Sequence, residues 1–342
     1  MINWLKHPEI RKLAVFLVLI VGLSFSIVYT DVRTYNVESA PGSGYNDSLS
    51  YLDMYFGKPG KDVGAYRPFI PWLARLIPDP PKWFFSPDQT VDRFTIAAMK
   101  FGIINFFFLI GACLALYFLQ CRLKMGYFEA LLGVILFLSS STVVRSAGLP
   151  LTDTAFFFFF TLCTIAIQGN NLWLLLFAGT VGALAKELVV ILTIPLILLS
   201  LYSWKHKLRM LLMIFPGIAL YLLVRFTFAS AFPDKVVSGQ SLALFGEQLV
   251  ALIKPRGLIQ LFFSFGLVWI PAIYALASGK VPLLLKRWSW LILIVFLGVL
   301  LLEGNFDRTT FSAFVVIIPL ASLGLSSWLD SASVSLREKR YV

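Results

Sequence analysis

The sequence predicts an all-α polytopic membrane protein of about ten transmembrane helices, and three observations carry that prediction. Of the 342 residues, 58% are hydrophobic, only 14% are charged and 32 are phenylalanine, whereas a soluble domain carries about 25% charged residues. Apolar runs recur at about 12–29, 95–119, 127–143, 153–168, 172–201, 210–227, 258–277, 289–302 and 311–328, most of them near the roughly 20 residues a helix needs to cross a hydrocarbon core. A hydrophilic interval from about Asp31 to Arg93 follows the first run, which predicts a long, structured first loop on the far side of the membrane.

Taken in order, the first run is expected to stay as an anchor, because Asp31, Val32 and Arg33 stand where a signal peptide would carry small residues for cleavage. In the loop that follows, spanning 30–94, Asn46 or Asp47 is placed to cap a short interfacial helix with Leu49, Leu52 and Phe56 on one face and Gly57 at its end. Pro78, Pro80, Pro81 and Pro87 then mark an irregular turn region, with Trp83, Phe84 and Phe85 at headgroup depth.

The 172–201 run is too long for one span. A continuous helix would measure about 45 Å against a core of about 30 Å, with Lys186 and Glu187 near its middle. Two short helices turning at Ala185-Lys186-Glu187 remove that problem. With ten spans and both termini inside, the clusters Lys6/Arg11/Lys12, Arg122/Lys124, Lys205/Lys207/Arg209, Lys280/Lys286/Arg287 and Arg337/Lys339/Arg340 all face the cytoplasm, as the positive-inside rule requires. A second extracytoplasmic loop, 228–257, carries Leu242, Phe245, Leu249, Leu252 and Ile253 at helical spacing, which predicts another amphipathic helix.

The whole chain, 1–342, reads as one transmembrane domain without internal repeats. Its net charge of +11 is mostly topological, and nucleic acid is excluded as a partner. Cys113, Cys121 and Cys163 make neither a disulfide framework nor a metal site.

The chemistry-bearing residues converge on the outer face of that topology. Asp47 is placed to act as a general base on an acceptor hydroxyl, with helix capping as the structural alternative. Asp153, in GLPLTDTAFFFFF, opens a span so apolar that its carboxylate must sit at the rim or in a cavity; its alternative is also a cap. Tyr66 and Arg67, before Pro68, make a basic turn entering an aromatic strip, and the planar fork of an arginine suits a phosphate. Lys186 and Glu187 are a functional pair by default inside 30 apolar residues, or else a salt bridge locking the turn. Arg308, in NFDRTTF, is placed either to pair with Asp307 or to contact an anion, and Arg145 is a weaker case of the same kind.

The order of an acidic first loop with GYNDSLSY, a YRP turn, a TD before an aromatic span, a KE turn and a late loop with arginine resembles the GT-C superfamily of membrane glycosyltransferases. Protein O-mannosyltransferases and aminoarabinose transferases belong to that group. The resemblance implies a polyprenyl-phosphate-linked sugar donor, a lipid, glycan or protein acceptor entering from outside, and a first-loop carboxylate as base, which maps to Asp47, with Asp53 as a substitute. It implies residence among the lipids of a bacterial or archaeal plasma membrane. The first loop lacks the acidic pair or Asp-x-Asp that many members carry. A divalent metal would therefore need Asp47 and Asp153 to meet, and the expectation is a metal-free reaction in which Arg67, Lys186 and Arg308 stabilise the departing phosphate.

A transporter or flippase for a lipid-linked or anionic substrate is the alternative, with Lys186, Glu187 and Asp153 lining its path. A noncatalytic subunit of an envelope-assembly complex is a third reading.

Overall fold

The computed structural model describes residues 8–34, 46–58, 67–81, 91–229, 249–301 and 306–338, and among them every regular element is helical. Five helices or helix pairs are long and apolar enough to cross a membrane: Lys12–Val32, Arg93–Arg122, Trp204–Thr227, Pro255–Ser278 and Arg308–Leu329. The chain is a multi-pass α-helical membrane protein in this sense. Four further apolar helices, Tyr127–Leu138, Asp153–Gln168, Leu172–Ala185 and Leu188–Leu199, are shorter than the roughly 20 residues of a full crossing.

The chain forms two compact units. The first contains residues 1–114, 144–158 and 184–186. It begins with α1 (Pro8–Thr34), in which Phe16, Ile20, Ser24, Val28 and Val32 are buried while Leu13, Val18 and Phe25 are exposed. Spacing by four keeps the buried set on one stripe of the helix, and the other side is apolar, as a lipid-facing surface requires. The helices α2 (Asn46–Tyr55) and α3 (Phe69–Leu76) follow and pack on each other. Arg75, in the last turn of α3, donates through Nε to the Tyr55 carbonyl at 2.8 Å and also reaches the Met54 carbonyl, so a cation satisfies the open carbonyls at the end of α2.

The buried face of α2 differs from the expected one. Ser48, Tyr51 and Leu52 point inward, whereas Leu49 and Phe56 are only half-buried. The Tyr51 hydroxyl turns to the inner face and meets polar partners there, as described below. Tyr55 and Phe56, at the end of the helix, instead stack edge-on against Phe101 and Phe94 of α4 (Arg93–Arg122).

Near its start, α4 is fixed by polar contacts. Asp92 accepts from the Thr95 backbone N–H and hydroxyl, both at 2.7 Å, and buried Lys100 pairs with Asp79 at 2.6 Å. Residues 144–158 then include the end of α6 (Ser141–Ser146) and the start of α7 (Asp153–Gln168).

The second unit contains residues 115–143, 159–183 and 187–342. The expected 127–143 span is a 12-residue helix, α5 (Tyr127–Leu138), followed by a turn at Ser139-Ser140 and the short α6. The 172–201 run is broken into α8 (Leu172–Ala185) and α9 (Leu188–Leu199), with Lys186 and Glu187 at the break. Next come α10 (Trp204–Ala229), α11 (Pro255–Phe265), α12 (Trp269–Ser278), α13 (Leu283–Trp288), α14 (Trp290–Leu301), α15 (Phe306–Thr310) and α16 (Phe314–Glu338).

A short 3-10 segment, Gly266–Val268, with Gly266 at φ 55°, separates α11 from α12. Of the expected second-loop amphipathic helix, Leu242 and Phe245 lie outside the described residues.

Close backbone approach and aromatic packing hold this unit, since apolar burial gives little drive between helices surrounded by lipid. A Cβ on Gly324 of α16 would lie 2.0 Å from the Pro271 carbonyl oxygen of α12, so the two helices meet at that point only because residue 324 has no side chain. Phe311 stacks against Phe265 with ring centroids 4.8 Å apart and against Phe314 at 5.8 Å. The Trp288 indole donates to the Leu196 carbonyl at 3.2 Å. Gln120 donates to the Ala130 carbonyl at 3.2 Å and accepts from Ser322 at 3.2 Å, which satisfies a buried amide inside apolar surroundings.

Candidate functional site

Within the first unit, four separate parts of the sequence bring polar side chains into one buried line. Arg67 lies just ahead of α3, Tyr51 in the second half of α2, Thr152 and Asp153 at the start of α7, and Lys186 at the break after α8. Arg67 Nη1 donates to the Tyr51 phenolic oxygen at 3.0 Å, and that oxygen lies 3.4 Å from Thr152 Oγ1. Since the phenol accepts from the guanidinium, its own hydrogen can be directed to Thr152. Next in sequence, Asp153 Oδ1 accepts from Lys186 Nζ at 2.6 Å. All five residues are buried, Arg67 and Lys186 at 7% exposure and Asp153 at 3%.

Local structure explains why these groups meet. Asp153 opens α7, where the helix dipole favours an anion, and its neighbour Thr152 supplies the carbonyl that receives the Phe156 N–H at 3.0 Å. The turn before it is clamped. Gly148 donates its N–H to Asp31 Oδ2 of α1 at 2.9 Å, and a Cβ at residue 148 would lie 2.6 Å from the Val28 carbonyl, so the turn reaches α1 only with glycine there. Asn105 of α4 donates to the Leu149 carbonyl at 2.6 Å and accepts from the Thr154 hydroxyl at 2.7 Å. One amide thereby ties both sides of the segment that carries Asp153.

The ion pair is enclosed by apolar groups: Lys186 Nζ lies 5.2 Å from the ring centroid of buried Phe156, in cation–π range. In such surroundings an unpaired ammonium is costly, and the carboxylate compensates it. Lys186 thus reaches a partner 33 residues earlier in the chain.

The other expected site residues fall elsewhere. Asp47 lies in the first turn of α2, one helical turn ahead of Tyr51; its side chain and all of Tyr66 lie outside the described residues. Arg145 is exposed in α6. Glu187 and Arg308 belong to the second unit, Glu187 at the start of α9 and Arg308 in α15. The Asp307 side chain lies outside the described residues.

No group of three or more His, Cys, Asp or Glu side chains converges among the described residues, and Asp153 is engaged by an ammonium.

Tyr51, Thr152, Asn105 and Asp31 join the site beyond the residues singled out from the sequence. Two of them leave a trace there: Tyr51 stands one helical turn after Asp47, and Asn105 is an isolated amide in the apolar run FGIINFFFLI, where a polar group has to find a partner. Compared with protein-family models, with curated proteins and with solved structures, the chain matches none.

Proposed function

We propose that the chain is a GT-C-type membrane glycosyltransferase that moves one sugar from a polyprenyl-phosphate donor to an acceptor hydroxyl, with inversion, on the extracytoplasmic face. The observation that supports this most is the buried line Arg67–Tyr51–Thr152 beside the Asp153–Lys186 pair, because it couples a guanidinium to the same short helix that begins at Asn46-Asp47. The reading takes ten spans with both termini in the cytoplasm, the short apolar helices pairing to complete crossings, and loops 30–94 and 228–257 outside.

In this account Asp47 takes the proton of the acceptor hydroxyl as its oxygen attacks the anomeric carbon. The bond from that carbon to the phosphate oxygen breaks, and polyprenyl phosphate leaves with the electron pair. The guanidinium of Arg67 stabilises the charge that develops on the leaving phosphate. Asp153 already compensates Lys186, so phosphate recognition is assigned first to Arg67, and Asp153 acts as a positioning residue for Lys186. Tyr51 orients Arg67.

Purified protein incubated with a panel of polyprenyl-phosphate sugars and with lipid, glycan or peptide acceptors is expected to release free polyprenyl phosphate only when an acceptor is present. Movement of intact lipid-linked sugar between leaflets, with no release from any donor, would replace this reading by the flippase one.

A further inference from the structure

The second unit contains a polar cavity of about 310 Å³ whose lining includes none of the site residues described above. Glu129 of α5, Ser278 and Lys280 at the end of α12, and Ser326 of α16 line its polar side, and Ala275 and Leu323 its apolar side. Ser326 donates to Glu129 Oε1 at 3.1 Å, which fixes the carboxylate and, among the described residues, leaves Oε2 open to another donor. Lys280 is exposed, and among the described residues no ion pair joins it to Glu129. A carboxylate and an ammonium thus line one small cavity without neutralising each other.

The depth of this cavity along the helices is informative. Ser278 ends one candidate span, Pro255–Ser278, and Ser326 lies near the end of another, Arg308–Leu329; Glu129 lies in the first turn of apolar α5. Tyr274 and Trp328 meet beside these ends with ring centroids 5.1 Å apart, and such residues gather where hydrocarbon gives way to headgroups. The ligand that fits carries both charges and an apolar continuation.

We infer that this cavity binds the zwitterionic aminoethyl-phosphate head of a phosphatidylethanolamine-type lipid, its primary ammonium on Glu129 Oε2 and its phosphate on Lys280, with the first carbons of the chains along Ala275 and Leu323. An anionic head satisfies Lys280 but meets the charge of Glu129. A choline head has no N–H to donate to the carboxylate. The inference is independent of the proposed transferase activity.

The test titrates the full detergent-solubilised chain with short-chain phosphatidylethanolamine, phosphatidylglycerol and phosphatidylcholine, and with soluble O-phosphoethanolamine, and reads bound ligand by native mass spectrometry. Loss of one charge-assisted hydrogen bond corresponds to about tenfold in affinity, so phosphatidylethanolamine is expected to bind about tenfold more tightly than the other two lipids. Glu129→Gln, which keeps an acceptor for Ser326, is expected to abolish that preference, and Lys280→Ala, at an exposed position, is expected to weaken all three lipids about tenfold, because each carries the phosphate that the ammonium meets. Equal binding of the three lipids by the wild type, an unchanged preference in Glu129→Gln, or unchanged affinities in Lys280→Ala would overturn the site. Binding of O-phosphoethanolamine as tight as that of the lipid would overturn its membrane source.

Discussion

Lys186 Nζ lies 2.6 Å from Asp153 Oδ1, so the break between two short apolar helices is tied to the first residue of a third helical segment by a buried ion pair. Removing one partner of such a pair leaves a buried charge uncompensated, at a cost of about 3–5 kcal/mol. Asp153→Asn and Lys186→Met are each expected to lose stability on that scale in detergent. The double variant is expected to recover a large part of the loss, because no charge is left unpaired. Additive losses in a denaturation series would contradict the pairing.

Tyr51 joins Arg67 to Thr152, so Tyr51→Phe removes the bridge and keeps the ring. Losing a hydrogen bond to a charged group predicts about tenfold weaker donor binding, together with a stability loss of about 1–3 kcal/mol, because the guanidinium that loses its acceptor is buried. Since the phenol acts through the guanidinium, Tyr51→Phe is expected to add nothing in an Arg67→Ala background. Arg67→Lys, which keeps the charge but not the planar fork, is expected to fall between wild type and Arg67→Ala. Independent effects of Tyr51 and Arg67 on donor affinity would separate the two residues.

These relationships also mark what the sequence makes legible. An isolated charged pair inside 30 apolar residues forces a break, and the helices indeed stop at Ala185 and resume at Leu188. The short helix Asn46–Tyr55 and the left-handed Gly57 after it, at φ 79°, follow from helical spacing and from the glycine that closes it. The partner of Lys186 does not, because Glu187 is adjacent and Asp153 is 33 residues away. Likewise Tyr51 meets Thr152 across 101 residues, a contact that no local pattern encodes, and the hydroxyl-bearing side of α2 turns inward to make it.

Asp92 provides a pH test away from the buried site. Burial opposes its ionisation, but the N–H and hydroxyl of Thr95 outweigh it and hold the carboxyl below its ordinary value of 3.8. A lowered folded-state value means that the stabilisation is present above about pH 4 and is lost as pH falls through the lowered value. Asp92→Ala is expected to cost about 1 kcal/mol at neutral pH and Asp92→Asn much less. The difference between Asp92→Ala and wild type is expected to shrink in acid, as followed by thermal unfolding from pH 7 downward. A difference that does not depend on pH would reject the cap.

The ten-span arrangement predicts that positions 47 and 206 face opposite sides. With Cys113 and Cys163 buried and exposed Cys121 replaced by serine, single cysteines at 47 and at 206 are labelled in intact cells with a membrane-impermeant maleimide. Labelling at 47 and not at 206 is expected. The reverse pattern would remove the topology and the outer-face site that rests on it.

The central claim is that Asp47 is the base of a sugar transfer, and Asp47→Asn tests it most directly. Asparagine caps a helix about as well as aspartate, so the fold and donor binding are expected to stay as in wild type. The carboxylate's basicity is lost, and the acceptor-dependent release of polyprenyl phosphate is expected to fall by about 10²–10⁴-fold. Near-normal release by a folded Asp47→Asn variant would contradict the account.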